Sequence, residues 1–418
     1  MVYVILGETA SGKTDIALEI CRKLHIPLIS ADAYSVYRGF DIGSAKPSKE
    51  ELQGIEHYFI DYLDFGESMS VYEFQKEGRK LLDRFKSEGR DCVVAGGTFL
   101  YVRALLFPLN FPEDQAPHPE VIEDIEAMKE ELLELDPEAS KTVDMNNPRR
   151  VERALALART GTTRTQLVKE FVNYPLYPSI FIRIETDPKK LAERIALRIK
   201  KMMESGLVEE TQRLMSLAPS FAPTFRGIGF KEICDRLLEG SSLDGVEEQI
   251  AIDTRQYARR QRTYLRHQFP FCVTLPRERI VDLVIENSLR RGDAVRKTEL
   301  ENPMPLVPSM SAEYTPWIDR LYRDGVRQIA IYVSDRGMLN DFVDSVHSRS
   351  PLMQILVFDD LEIKKGKLPP FSYALPTPDG VRLDQKIVDY IAEKNIPTRS
   401  VEELNLPAPG KNELEVDG

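Results

Sequence analysis

The chain has 418 residues, 42% hydrophobic and 29% charged, the balance of a globular protein large enough for two or three domains. No apolar run approaches the ~20 residues of a membrane-spanning helix, and the four scattered cysteines (Cys21, Cys92, Cys234, Cys272) suit buried reduced thiols in the cytoplasm better than a zinc site or a disulfide framework. A net charge of −11 argues against a polyanionic partner, but residues 254–276 hold no acidic residue and gather Arg255, Arg259, Arg260, Arg262, Arg266 and His267.

Residues 2–6 (VYVIL) read as a buried first strand and not as a signal peptide, since no basic leader precedes them. They run into Gly7-Glu8-Thr9-Ala10-Ser11-Gly12-Lys13-Thr14, a G-x-x-x-x-G-K-[ST] loop, and residues 15–24 then carry a helical period. Strand, loop and helix in this order form a phosphate cradle. The glycines let the backbone wrap so that successive N–H groups face phosphate oxygens, and the helix N-terminus and Lys13 add positive potential. Gly7, Thr9, Ala10, Ser11, Gly12, Lys13 and Thr14 are therefore expected to hold phosphates, with the Thr14 hydroxyl on Mg²⁺. Glu8, whose carboxylate a phosphate would repel, is expected to point outward.

A second strand is expected at residues 27–30, a helix at 70–86 and a third strand at 91–95 (DCVVA). Such alternation predicts a parallel sheet with helical crossovers. The third strand ends in Gly96-Gly97-Thr98 with no carboxylate to hold a metal. Ordinary ATP hydrolysis is thereby disfavoured, while a kinase or another diphosphate-using transferase stays open.

Residues 111–177 are helical in pattern and flanked by prolines, and strand character returns at 179–185 (SIFIRIE), as for a helical insertion in the α/β core. Helices dominate residues 187–268. Arg194 and Arg198, four apart, share one helix face. Along 254–268, Arg255, Arg259, Arg262 and Arg266 form one basic stripe, and Tyr257, Ala258, Gln261, Tyr264 and Leu265 form a face for packing. A charged helix at 278–291 precedes the proline-rich ENPMPLVPSM. Beyond it, strands at 327–333 and 354–358 and helices at 338–347 and 383–394 predict a small α/β unit without an interpretable motif. The fold class is thus α/β: a P-loop NTPase-like parallel-sheet core (1–110 and 178–275), an inserted helical domain (111–177), a helix and proline-rich linker (276–310) and a C-terminal α/β domain (311–418).

Residues 29–39 (ISADAYSVYRG) and the following DIGSAKP open a series of further motifs: HYFIDYLDFGESMSVYEFQ, VVAGGTFLYVRALL, NNPRRVERALALARTG, ERIALRIKKMMESGLVEE, FRGIGFKE and RQYARRQRTYLR. In this order, over residues 2–270, the set closely resembles the tRNA dimethylallyltransferase family. The resemblance implies transfer of a dimethylallyl group from dimethylallyl diphosphate to N6 of the adenosine 3′-adjacent to the anticodon, with release of diphosphate. It also implies that the loop grips the donor's diphosphate and not ATP, in keeping with the missing carboxylate. Asp32 corresponds to the family's general base, Arg198 to its diphosphate-binding arginine and Thr98 to a residue near the target adenine. As residues, Asp32 could equally cap a turn, Thr98 bond to backbone, and Arg194 belong to a solvated face.

A target base that leaves the anticodon-loop stack needs a pocket and single-strand contacts. Expected tRNA contacts are Asp32, Ala33, Tyr34, Ser35, Thr98, Arg149, Arg150, Arg153, Arg226, Gly227, Lys231, Arg255 and Arg259. The implied partners are the tRNA anticodon stem-loop and dimethylallyl diphosphate, with Mg²⁺ as cofactor, no membrane, a monomeric state and a cytoplasmic location. Three positions depart from the family pattern: Ala33 and Ser35 stand where Ser and Gln are common, and Glu8 where proline is frequent. The rival readings are a free-nucleotide isopentenyltransferase, a P-loop kinase of a small metabolite and a non-catalytic RNA-binding protein. A small nucleotide requires neither the insertion nor the arginine clusters.

Overall fold

The computed structural model describes residues 1–64, 66–109, 111, 124–170, 175–217, 227–290, 304–366, 368, 371–400 and 403–404. Its first sheet contains β1 (Val2–Leu6), β2 (Leu28–Ser30), β3 (His57–Tyr58), β4 (Cys92–Ala95), β5 (Ser179–Ile184) and β6 (Val273–Leu275), in the order β3-β2-β4-β1-β5-β6. Every pairing is parallel. A strand covered on both faces cannot alternate apolar with polar residues, and all five residues of β1 are buried.

The crossover helices follow from local chemistry. α1 (Lys13–Leu24) leaves the phosphate loop, and α2 (Lys49–Leu52) lies between β2 and β3. α3 (Val71–Ser87) starts at a capping box in which Ser70 and Glu73 each accept the other's amide, and it buries Phe74, Gly78, Leu82 and Phe85 along one face. α4 (Phe99–Leu106) follows β4 directly. Next come α5 (Ile125–Leu135), α6 (Ala139–Thr142), α7 (Pro148–Arg159) and α8 (Arg164–Glu170), with a small core of their own around Leu132, Ala139, Val151 and Leu155.

After β5, Asp187 caps α9 (Pro188–Glu204), with proline at the first helical position, where its missing N–H costs nothing. α10 (Leu207–Leu217), α11 (Phe230–Glu239) and α12 (Val246–Gln268) complete the helical side. α12 begins well before the basic segment because Gly245, at φ 74°, supplies a left-handed start.

A second parallel sheet holds β7 (Met304–Val307), β8 (Gln328–Tyr332), β9 (Gln354–Phe358) and β10 (Phe371–Ala374), in the order β10-β7-β8-β9. Its helices are α14 (Thr315–Arg323), α15 (Leu339–Arg349), α16 (Asp360–Lys365) and α17 (Gln385–Glu393). β7 lies inside the stretch read from sequence as linker. Its prolines suggested a break, but the one within the strand, Pro305, is only its second residue, and the pairing to β8 starts after it at Leu306.

The two sheets share one core. α13 (Arg277–Arg290) lies between them: Ile280, Val281 and Val284 pack with Tyr3, Ile5 and Val93 on one side and Trp317, Ile329 and Val307 on the other. The polar seam is equally specific. The Asn287 amide nitrogen donates to Tyr3 Oη at 3.0 Å, and its oxygen accepts from the Arg327 guanidinium. Gln328 and Gln354, register partners at the start of β8 and β9, bond Ser179 O (2.8 Å) and the Phe181 amide (3.0 Å) of β5. These β5 groups lie ahead of the first residue pairing with β6, Ile182, so the glutamines occupy a backbone edge that no strand covers among the described residues. The second sheet therefore abuts the base of the first, at the end opposite its phosphate loop.

Candidate active site

Parallel strands deliver their following loops to one edge, and that edge holds the site. The loop after β1 closes on itself: a Cβ on Gly7 would fall 2.6 Å from Ser11 Oγ and would displace that hydroxyl. The Ser11 amide donates to Glu8 O at 3.1 Å, Ala10 takes φ 61° and Gly12 φ 89°. Lys13 is 8% exposed and donates through Nζ to Glu8 O at 2.9 Å. Burial and the Arg198 charge push its pKa down to about 8, against the opposing pull of Asp32 and Glu8. Thr14 is exposed at the head of α1.

Glu8 does not point outward. It is wholly buried, and its carboxylate accepts from Arg262 Nε at 2.8 Å, from Thr186 Oγ1 at 2.9 Å and from Arg183 Nη2 at 3.4 Å. Repulsion by phosphate alone would turn this carboxylate outward, but the guanidinium groups of Arg262 and Arg183 beside it compensate the charge. Burial works to raise the Glu8 pKa, but hydrogen bonds led by Arg262 bring it below the usual glutamate value. The basic stripe is consequently split. Arg262 turns inward to Glu8, and Arg255 pairs with Glu248 at 3.1 Å. Arg259 and Arg266 are exposed and make no ion pair among the described residues.

Asp32 follows the tip of β2 and does two things at once. Its Oδ1 accepts from the amides of Tyr34 (2.9 Å) and Ser35 (3.1 Å), fixing the turn. Its Oδ2 faces Gly97, where a Cβ would come within 3.0 Å. The Asp32 charge favours the protonated forms of Lys13 and Arg198, so the three share one electrostatic site. Arg198 is half-buried and Arg194 exposed, which separates two residues that sequence spacing could not.

Gly96 lies so close to Ala31 that a Cβ would sit 2.1 Å from the Ala31 carbonyl oxygen, and Thr98 Oγ1 accepts from the Ala33 amide at 3.0 Å. Thr98 thus joins the tips of β4 and β2. Ser35, expected to face RNA, is 5% exposed, because the turn that Asp32 caps directs it into the protein. Tyr34 packs against Gly227, whose Cβ would lie 2.8 Å from the ring, so the loop before α11 docks on the same turn. Lys231 is exposed and pairs with Asp235 at 3.4 Å, and Arg226 lies outside the described residues.

Several site residues escaped the sequence reading. Gln261 Oε1 accepts from the Thr9 amide at 2.7 Å while its Nε2 donates to Gly97 O at 3.0 Å, and Tyr257 Oη donates to the same carbonyl at 3.0 Å. The signal was two polar groups, four residues apart, on a face that otherwise packs into the core. Arg277, at the start of α13, lies against Gly12, where a Cβ would fall 1.9 Å from Nη1, and pairs with Asp15 at 2.8 Å. The buried Glu210 carboxylate gathers the amides of Asp41 (3.1 Å), Ile42 (2.9 Å) and Gly43 (3.0 Å), holding the DIGSAKP loop.

Other expected residues lie apart. Arg149, Arg150 and Arg153 are exposed on α7, Arg150 pairs with Asp144 at 3.5 Å, and among the described residues none of the three bonds to Lys13, Asp32 or Arg198. Arg259 joins Arg260, Thr263, Tyr264, His267 and Gln268 around an open cleft of about 510 Å³ on the outer side of α12. Among the described residues no three His, Cys, Asp or Glu side chains gather as for a metal ion.

The model of the IPP transferase family matches residues 35–268. A tRNA dimethylallyltransferase of an Exiguobacterium species is 39% identical over 278 residues, 64% of this chain and 88% of the relative. The crystal structure of a tRNA isopentenylpyrophosphate transferase from Staphylococcus epidermidis superposes with a TM-score of 0.51 at 30% identity, covering 70% of this chain and 99% of that one. A full-length tRNA isopentenylpyrophosphate transferase from Bacillus halodurans gives 0.52 at 28% identity, covering 72% and 96%. With over half of its length matched by the family model, and its loop, strand tips and α12 joined by hydrogen bonds at one edge of the sheet, the chain belongs to the IPP transferase family.

Proposed function

We propose that the chain transfers the dimethylallyl group of dimethylallyl diphosphate to N6 of the adenosine 3′-adjacent to the tRNA anticodon, releasing diphosphate. The observation that carries this reading is the meeting of Asp32, Lys13 and Arg198 at the carboxyl edge of the sheet.

The exocyclic amine of adenine is a weak nucleophile because its lone pair is delocalised into the ring. Two kinds of help are needed. As the N6–C1 bond forms and the C1–O bond to diphosphate breaks, Asp32 accepts the N6 proton, with Oδ2 open toward Gly97 and Oδ1 held by two amides. The loop amides, Lys13 and Arg198 stabilise the charge gathering on diphosphate. The residues also fit a Mg²⁺ ion held chiefly by the diphosphate, with the exposed Thr14 hydroxyl as its protein ligand. When bound, the ion neutralises leaving-group charge.

In this reading the target base is flipped into the space beside Thr98, Ala33, Tyr34 and Gly227. Arg149, Arg150, Arg153, Lys231, Arg255 and Arg259 contribute contacts to the RNA backbone. The enzyme acts in the cytoplasm as a monomer. No described helix is long and apolar enough to cross a membrane.

The test is incubation with radiolabelled dimethylallyl diphosphate and either tRNA or AMP. Label on tRNA is expected. Label on AMP alone overturns the reading in favour of a free-nucleotide enzyme. Phosphate transfer from ATP to a small metabolite indicates a kinase, and retained tRNA binding without any label indicates a binding protein.

A further inference from the structure

The inference that follows rests on the reading of the loop as a diphosphate site. Where the family frequently carries proline, this chain places a carboxylate with no exposed surface. That carboxylate meets α12 through Arg262 Nε (2.8 Å), and it meets the far end of β5 through Arg183 Nη2 (3.4 Å) and Thr186 Oγ1 (2.9 Å). A single negative charge cannot neutralise two guanidinium groups, so one positive charge remains.

Neither arginine makes another hydrogen bond or ion pair among the described residues, and their side chains stay 25% and 24% exposed. Arg262 therefore keeps both Nη groups, and Arg183 most of its donors, for something at the rim of the loop. The backbone next to Glu8 is tied in as well: Lys13 bonds its carbonyl, and Gln261, adjacent to Arg262 in α12, accepts the Thr9 amide.

We propose that Glu8 is a positioning residue for the donor's diphosphate: it holds Arg262 and Arg183 against the phosphate loop so that their remaining N–H donors extend its anion-binding wall. A proline stiffens a loop by fixing φ. Here an ion-pair network does so, and it brings two additional cations to the loop.

The sign of one measurement separates this role from simple electrostatics. Loss of a carboxylate near a diphosphate, by charge alone, tightens anion binding. Loss of a positioning carboxylate weakens it. In the full-length protein, Glu8→Gln is expected to weaken binding of inorganic diphosphate, measured by titration calorimetry, by about tenfold or more, equivalent to about 1.4 kcal/mol. KM for dimethylallyl diphosphate is expected to rise by a similar factor, with kcat and KM for tRNA within about threefold, because orientation of the donor and not the chemical step is affected. Arg262→Gln should show the same pattern, and the double variant should be little worse than either single one. Arg262→Gln also serves should Glu8→Gln not fold, since Arg262 is partly exposed. Equal or tighter diphosphate binding by Glu8→Gln, or an unchanged diphosphate affinity in Arg262→Gln, overturns the proposal. If the wild-type chain itself fails to bind diphosphate, the underlying reading of the loop falls instead.

Discussion

Gln261 and Thr9 lie 252 positions apart in sequence, yet the Gln261 side-chain oxygen accepts the Thr9 amide at 2.7 Å while its nitrogen holds the Gly97 carbonyl at 3.0 Å. One amide side chain on α12 thus bridges the loop after β1 and the tip of β4. Gln261→Ala removes both bonds. Its expected effect is a loss of kcat/KM for transfer of about 10- to 100-fold, from misplacement of reacting groups held to about 1 Å. Gln261→Glu should do no better, since it cannot donate to Gly97. Steady-state kinetics with tRNA, alongside a melting curve, decide the matter. Wild-type kinetics in both variants would remove Gln261 from the site.

Asp32 is tested by Asp32→Asn, which keeps its shape and an Oδ1 acceptor for the turn. Loss of a general base costs about 10²- to 10⁴-fold in rate. The variant should still bind tRNA within about twofold of wild type. Turnover within about tenfold of wild type would show that the proton leaves by another route.

Lys13 titrates near 8 because burial and the Arg198 charge disfavour its cation. Diphosphate affinity is therefore expected to fall as pH rises through about 8, and Lys13→Ala should bind more weakly and without this step. For folding the sign is the opposite. With the folded pKa at about 8 and the reference at 10.5, the unfolded chain binds more protons between those values, so this residue makes stability increase with pH over that window. Calorimetric titrations with inorganic diphosphate from pH 6.5 to about 9.5 test the binding step. A flat wild-type profile would contradict it.

Gln354 is 5% exposed and accepts the Phe181 amide of β5. Gln354→Ala leaves that backbone donor buried without a partner, at a cost of about 1–3 kcal/mol. Because the contact lies at the base of the sheet, transfer at 25 °C should be unchanged while the midpoint of thermal or urea unfolding drops. An unchanged midpoint would mean that water or a neighbouring group replaces the bond.

Much of this architecture was legible in the amino-acid order. The phosphate loop declares itself because its wrapped backbone takes a left-handed turn at Gly12, φ 89°, that favours glycine, and a cation follows directly after it. β1 and β4 stand out because strands buried on both faces are continuously apolar, β5 because of its apolar Ile180–Ile182 stretch, and α3 because its capping box and burial pattern are local. β7 was hidden because prolines signal a break unless the pairing partner is known. At the site the division is similar. Asp32 and Lys13 sit in local motifs, whereas the direction of Glu8 depended on two arginines 175 and 254 positions away. The roles of Gln261, Arg277 and the Gln328–Gln354 pair likewise exist only between segments remote in sequence. Sequence by itself determined the class of fold and the kind of phosphate-binding loop, since both rest on short-range periodicity and backbone sterics. Tertiary structure alone decided which charges are buried, which guanidinium groups turn inward and which carboxylate oxygen stays open, because desolvation and ion pairing depend on what the rest of the chain brings alongside.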